Sequence, residues 1–231
     1  IEEKGYSSKV KLRFHMEKLF SGINLKDKRV LDIGGGYGLY SFYAASKGAR
    51  EVVCIEPETE GSSSGVIEKF NKLKNLLGKN NVELSQSTLQ LYESKDEAFD
   101  VILLHNSINH LNEEACINLL SDLKSRSTYQ EILSRIYSLS SRGAKLIICD
   151  CSRYNFFNLL RIRNPFAPTI EWHKHHAPEV WINMLVEVGF VNPKIRWSSF
   201  DFLLGRGEML IGNKLIAYFL GSHFCLTMEK P

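Results

Sequence analysis

The sequence predicts an α/β fold, a three-layer α/β/α sandwich around a seven-stranded, mostly parallel sheet, and three observations carry that expectation. Apolar strand-like runs alternate with stripes of helical period along the chain. Val30-Leu31-Asp32-Ile33 runs straight into Gly34-Gly35-Gly36-Tyr37-Gly38 and then into a helix, a turn whose missing Cβ atoms let a ligand lie against the backbone. A second strand ends on an acid about twenty residues further on, where nucleotide-binding folds hold a ribose.

Taken in order, Leu12, Met16, Leu19 and Phe20 give a helical stripe in an N-terminal segment, residues 1–22. The first strand and its glycines follow. The second strand, Glu51 to Ile55, reaches Glu56, and Pro57 stops it so that the carboxylate aims at the carboxyl edge of the sheet. Gly61-Ser62-Ser63-Ser64-Gly65 reads as a turn and helix cap ahead of a stripe at Val66, Phe70, Leu73 and Leu77. Val82-Glu83-Leu84 is the third strand, followed by Ser85-Gln86-Ser87-Thr88-Leu89. Phe99 to Leu104 is the fourth, followed by His105-Asn106-Ser107-Ile108-Asn109-His110-Leu111. Tyr129, Ile132, Ile136 and Leu139 form a third stripe, and Ala144 to Cys149 a fifth strand ending at Asp150. A helix from about Pro178 to Val188 closes on Gly189, and Lys194 to Ser198 and His223 to Met228 complete the strands. The expected organisation is one domain over 1–231, with a core at 29–150, an inserted segment at 151–177, and a helix and strands at 178–231.

Composition suits an enzyme of ordinary size. With 231 residues, 44% hydrophobic and 24% charged, the chain can bury a full core. A net charge of +3 is too weak to argue for nucleic acid. The cysteines at 54, 116, 149, 151 and 225 include no C-x-x-C pair and read as reduced, buried thiols of a cytoplasmic protein. The longest apolar tract, around 209 to 228, is interrupted by Asn213, Lys214 and His223 and is not a membrane span.

The glycine spacing selects the ligand. A dinucleotide fingerprint counted from Gly34 needs a small residue where Leu39 stands. The chain instead reads D-x-G-x-G-x-G from Asp32, and this resembles motif I of class I S-adenosylmethionine-dependent methyltransferases. The order of glycine loop, Glu56 and the Phe99-Asp100-Val101-Ile102 strand opening resembles the same family over roughly residues 29–150. The resemblance implies a Rossmann-like sheet whose last strand is antiparallel, with S-adenosyl-L-methionine as cofactor. It implies that Asp32 helps hold the methionine amino group while Gly34, Gly35, Gly36, Tyr37 and Gly38 lie along the methionine and ribose. A carboxylate there suits a sulfonium zwitterion, whereas beside a diphosphate it would be repulsive. Glu56, followed by Pro57, falls where the ribose hydroxyls bind. Thr88 falls by alignment where family members often carry an Asp for the adenine amino group, with Leu89 as an apolar wall.

Ligands of such sheets sit beyond the carboxyl ends of the strands, so acceptor-facing residues should follow strands four and five. Methyl transfer is an in-line displacement that requires alignment and, for a hydroxyl acceptor, a proton acceptor. His110 is the first candidate for base or substrate orienter, the alternative being a histidine that only caps or packs; His105 is a further catalytic candidate and is expected against the cofactor. The segment 151–177 is expected to cover the substrate as a lid, or else to pack as an amphipathic helix on the sheet edge. Arg153, Arg161 and Arg163 interleaved with Tyr154, Phe156, Phe157, Leu159 and Leu160 suit an anionic or amphiphilic substrate. Alternation of Glu171, His173 and His175 would place them on one face of an extended segment; with His176 they could contact substrate, with His173 as a catalytic candidate, or bind a metal, although no metal is expected. The expected function is methyl transfer to a small molecule, at a hydroxyl oxygen. The alternatives are an amine, RNA or protein methyltransferase, or a non-catalytic S-adenosylmethionine-binding module. The absence of an N-P-P-Y type sequence after strand four disfavours a DNA adenine substrate.

Overall fold

A computed structural model describes residues 9–58, 65–94, 98–198 and 213–231. Seven strands form one sheet in the order β3-β2-β1-β4-β5-β7-β6. They are β1 (Arg29–Ile33), β2 (Glu51–Ile55), β3 (Val82–Ser85), β4 (Phe99–His105), β5 (Ser140–Cys151), β6 (Val191–Ser198) and β7 (His223–Glu229). The first five pair in parallel, whereas β7 runs antiparallel to both β5 and β6, as the resemblance implies. The helices are α1 (Lys9–Leu19), α2 (Leu39–Ser46), α3 (Val66–Leu77), α4 (Glu113–Asn118), α5 (Leu123–Leu139), α6 (Phe156–Leu159), α7 (Pro178–Val188) and α8 (Lys214–Phe219).

The central strands are buried on both faces, and their side chains alternate between two cores. Val30, Val52, Val101, Leu103 and Ile147 pack with Met16, Phe42 and Phe70 of α1, α2 and α3. Leu31, Ile33, Ile102, Leu104, Leu146 and Ile148 pack with Tyr129, Ile132 and Ile136 of α5 and Trp181 and Met184 of α7. Trp181 has no exposed surface, and truncating such an aromatic typically costs about 3–5 kcal/mol. Glu113 and Glu114 in the first turn of α4 and the Asn112 cap fix where the chain restarts as helix after β4.

Several boundaries differ from the sequence expectation. Strand β5 begins at Ser140, four residues early, and continues through Asp150 to Cys151, because β7 pairs with it as far as His223. Strand β6 begins at Val191 despite Pro193; it is the edge strand, and its register shifts between Val191 and Lys194, which tolerates a residue without an N–H. The α3 stripe is core only in its first half: Phe70 is sealed, while Leu77 is 51% exposed. Gly65 caps α3 in the left-handed conformation, as the turn reading expects; residues 61–64 of that run lie outside the described residues. The helix at Pro178–Val188 and its Gly189 end, at φ 116°, agree with expectation. No helix among the described residues is long and apolar enough to cross a membrane.

Candidate functional site

The carboxyl ends of β1, β2 and β4 converge on the glycine turn. Burial of β1 on both faces puts Asp32 in the interior, 1% exposed, where its Oδ2 accepts a hydrogen bond from Ser41 Oγ of α2 at 2.7 Å. A Cβ on Gly35 would lie 2.7 Å from Asp32 Oδ2 and 2.6 Å from Cys54 Sγ, so only glycine lets the turn close over the acid. Gly36 is different: its φ is +55° and a Cβ there would meet nothing within 4 Å, leaving open space above a bare backbone. Burial pushes the Cys54 thiol well up, and the charge of Asp32 adds to it, so this neighbour stays neutral.

Glu56 is also buried, at 5% exposure, and comes directly against the loop. Its Oε2 accepts from the Gly36 N–H at 2.9 Å and its Oε1 from the Glu58 N–H at 3.2 Å. The N–H groups of Gly34 and Gly35 donate to the Ile55 carbonyl at 2.8 and 3.3 Å. The loop's first N–H groups therefore tie β1 to β2 rather than facing outward, and the open side of the turn is the backbone at Gly36. Two buried carboxylates and an uncovered glycine fit a cationic amino group and a ribose diol better than they fit a diphosphate. Pro57 follows as the strand stop. Leu89, expected as an apolar wall, is 1% exposed and packs in the core, while Thr88 is partly buried and its carbonyl accepts from the Leu91 and Tyr92 N–H groups.

His105, the last residue of β4, sits beside Tyr40 of α2, with ring centroids 4.4 Å apart and Nε2 3.1 Å from the Tyr40 hydroxyl. The same hydroxyl lies 3.2 Å from His15 Nε2 of α1. This His15–Tyr40–His105 line at the cofactor end is absent from the sequence reading; the only trace is that His15 adjoins the α1 stripe at Met16. Asn106 then turns the chain out with φ 53°, a conformation asparagine tolerates better than most residues. Ser107 Oγ donates to the Ile33 carbonyl at 2.6 Å, locking the two strand ends together.

Beyond the end of β4, His110 ends a short 3₁₀ turn, Ile108–His110. Its Nδ1–H donates to Glu113 Oε1 at 2.5 Å, and its Nε2 faces the Asn109 amide at 3.4 Å. Glu113 also pairs with Lys174 Nζ at 2.9 Å, and the contact with Lys174, then that with His110, holds its carboxyl below the usual range.

The segment 151–177 docks onto that turn. The expected single face for Glu171, His173 and His175 does not form, because Trp172–Lys174 is a 3₁₀ turn in which Lys174 pairs back to Glu171 at 2.8 Å. His173 points outward, exposed, and its carbonyl accepts from Arg153 Nη2 at 2.7 Å. His176 is fully buried; its Nε2–H donates to the Cys116 carbonyl at 2.6 Å, and burial lowers its pKa. His175 Nδ1 meets Asp150 Oδ1 at 2.9 Å. The alternative of a long amphipathic helix is reduced to the four residues of α6, whose last residue Leu159 is exposed, as are Leu160, Arg161, Ile162 and Arg163 beyond it. Among the described residues, no group of three acidic, histidine or cysteine side chains is arranged for a metal.

Residues 30–126 match the family described as a methyltransferase domain. A 93-residue stretch is 31% identical to protein arginine N-methyltransferase 6 of Danio rerio; it covers 37% of this chain and 25% of that protein, so only a quarter of that relative's length is spanned. Among solved structures, a candidate S-adenosylmethionine-dependent methyltransferase from Listeria monocytogenes superposes with TM-score 0.63 at 14% identity over 97% of this chain and 100% of that one. A candidate O-methyltransferase from Nostoc punctiforme gives 0.59 at 15% over 96% and 55%. At these identities the likeness is one of fold.

Proposed function

We propose that this chain, whose residues 30–126 match a methyltransferase domain, is a class I S-adenosylmethionine-dependent methyltransferase that transfers the methyl group to a hydroxyl oxygen of a small molecule. The observation that carries the reading is the open backbone at Gly36 flanked by the buried carboxylates of Asp32 and Glu56. When bound, the cofactor supplies a methyl group already electrophilic on its sulfonium. Asp32 holds the ammonium of the methionine portion. Glu56 accepts the ribose hydroxyls, since each carboxylate oxygen can accept a second hydrogen bond beyond its backbone donor. Thr88 meets the adenine edge, and His105 closes the cofactor end with Tyr40. Tyr37 and Gly38 carry the chain from the cradle into α2. His110, oriented by Glu113, steers the acceptor, with His173 at the rim, while residues 151–177 cover it as a lid. The arginines and apolar side chains of that lid favour an anionic or amphiphilic acceptor. A hydroxyl fits best because it needs proton removal, and the acceptor side offers histidines paired with carboxylates.

Calorimetric titration with S-adenosylhomocysteine tests the cradle. Binding by the parent, and a roughly 10- to 100-fold weaker Kd for Glu56→Ala, are expected, because two backbone donors and the ribose lose a charged acceptor. Unchanged affinity overturns the ribose role. Labelled methyl transfer to matched phenol, sugar and primary-amine probes then tests the acceptor; transfer only to amines, or RNA binding with a steep salt slope, overturns the small hydroxyl acceptor.

A further inference from the structure

Two histidine–carboxylate pairs stand at the acceptor side, and they are not equivalent. In the His110–Glu113 pair the carboxylate is shared with Lys174, the imidazole is 44% exposed, and its second nitrogen already faces the Asn109 amide. In the His175–Asp150 pair the carboxylate side chain has no exposure at all, and its Oδ2 is sealed without a partner among the described residues. A carboxylate only accepts, so Nδ1 of His175 carries the proton and donates it to Asp150 Oδ1. That leaves the lone pair on Nε2. This nitrogen has no hydrogen-bond partner among the described residues and is not one of the sealed polar atoms, so part of the side chain's 13% exposure lies there.

Both members are anchored at the right place. Asp150 is the penultimate residue of β5, one beyond Cys149, whose carbonyl accepts from the Asn106 N–H just past β4. The chain on either side of His175 is held from several directions: the Lys174 carbonyl accepts from Cys116 Sγ at 3.3 Å, His176 is bonded to the Cys116 carbonyl, and Arg153 grips the His173 carbonyl. We infer that His175 is the general base of the transfer and that Asp150 is its positioning residue. The acceptor's proton passes to Nε2. Its freed electron pair forms the bond to the methyl carbon as the methyl–sulfur bond breaks, that pair remaining on sulfur. The imidazolium so formed is stabilised by the buried carboxylate against which Nδ1–H is already set. His110 then needs only to orient the acceptor. The inference rests on the methyltransferase reading above.

The first readout requires no acceptor. In protein labelled with ¹⁵N-histidine, with and without S-adenosylhomocysteine, long-range ¹H–¹⁵N spectra at high pH should show neutral His175 as the Nδ1–H tautomer, and Asp150→Asn should abolish that preference. An Nε2–H tautomer in the parent overturns the inference, because that nitrogen could not take a proton. The second readout is methyl transfer to the phenol and sugar probes. His175→Ala and Asp150→Asn should lower kcat about 100-fold or more and flatten its rise with pH, with S-adenosylhomocysteine affinity retained. His175→Gln should not rescue, whereas Asp150→Glu should in part. Parent-level kcat and an unchanged pH profile in His175→Ala overturn the assignment. Loss of S-adenosylhomocysteine binding by the parent itself would instead sink the underlying reading, which the tautomer measurement leaves separate.

Discussion

The half of the sheet proposed to hold the cofactor, β3-β2-β1-β4, and the half proposed to face the acceptor, β5-β7-β6 with the segment 151–177, hold their polar groups by different means. In the first half, Glu56 is pinned by backbone donors and Asp32 by a helix hydroxyl within one βαβ unit, and the surrounding atoms leave no room for a Cβ at Gly35. In the second half, Lys174, His175 and His176 are pinned by side-chain contacts to segments distant in sequence. A cradle for one invariant ligand can be built into the backbone. The proposed acceptor side, built from side chains on an irregular loop, can be altered without disturbing the sheet.

The largest effect should come from adding one carbon to the first half. In Gly35→Ala the new Cβ meets Cys54 Sγ and Asp32 Oδ2 below 3 Å, and both neighbours are buried. Overpacking of this kind costs about 1–3 kcal/mol and here displaces the acid as well. Chemical denaturation should show the midpoint falling at constant slope, and S-adenosylhomocysteine binding should fail in step. A variant as stable as the parent would mean that the turn is not rigid, and the contrast between the halves would break.

Legibility follows the same division. Asp32, the glycines and Glu56 are readable because one strand period and one βαβ spacing determine where they fall. The stripe Tyr129, Ile132, Ile136 and Leu139 is readable because a buried helix face has only one period, and all four side chains are buried. The early start of β5 is hidden because Ser140, Ser141, Arg142 and Gly143 look like a turn; only pairing makes them strand. His15, Tyr40 and His105 come together through packing of α1 on the sheet, which no local pattern encodes. The partnership of Asp150 with His175 spans 25 residues of irregular chain. Alternation of 171, 173 and 175 suggested an extended segment, but the bond from the Lys174 N–H to the Glu171 carbonyl, with the ion pair of the same residues, closes a turn.

A smaller effect should come from acid acting on the second half. His176 is buried, and desolvation lowers its pKa from the ordinary 6.5. The unfolded chain then binds the extra proton more readily than the folded one, so stability is fully present above about 6.5 and is lost as the pH falls through that value toward the folded pKa. Each tenfold difference in proton affinity corresponds to ~1.4 kcal/mol. Urea midpoints of the parent should fall between pH 7 and pH 5 by more than those of His176→Phe, which keeps an aromatic ring beside Trp181 without a titrating group. Equal pH slopes would remove His176 from the account.

The smallest effect should come from the surface latch. Glu113 bonds both Lys174 and His110, yet all three side chains retain solvent contact, and such ion pairs contribute about 0–1 kcal/mol. Glu113→Gln should therefore leave the unfolding midpoint almost unchanged. It should nonetheless loosen the turn at residues 172–174, because it removes the turn's ion pair to α4, leaving the Cys116 thiol, the His175 and His176 imidazoles and Arg153 to tie it to the rest of the chain. Amide exchange of Lys174 and His175, whose N–H groups donate to Glu171 and Trp172, should accelerate, while that of Gly34 and Gly36 stays at the parent rate. High salt should reproduce part of this in the parent by screening the exposed pairs. Equal acceleration at Gly36 would couple the two halves rigidly, and the acceptor side would lose the independence that its construction from side chains implies.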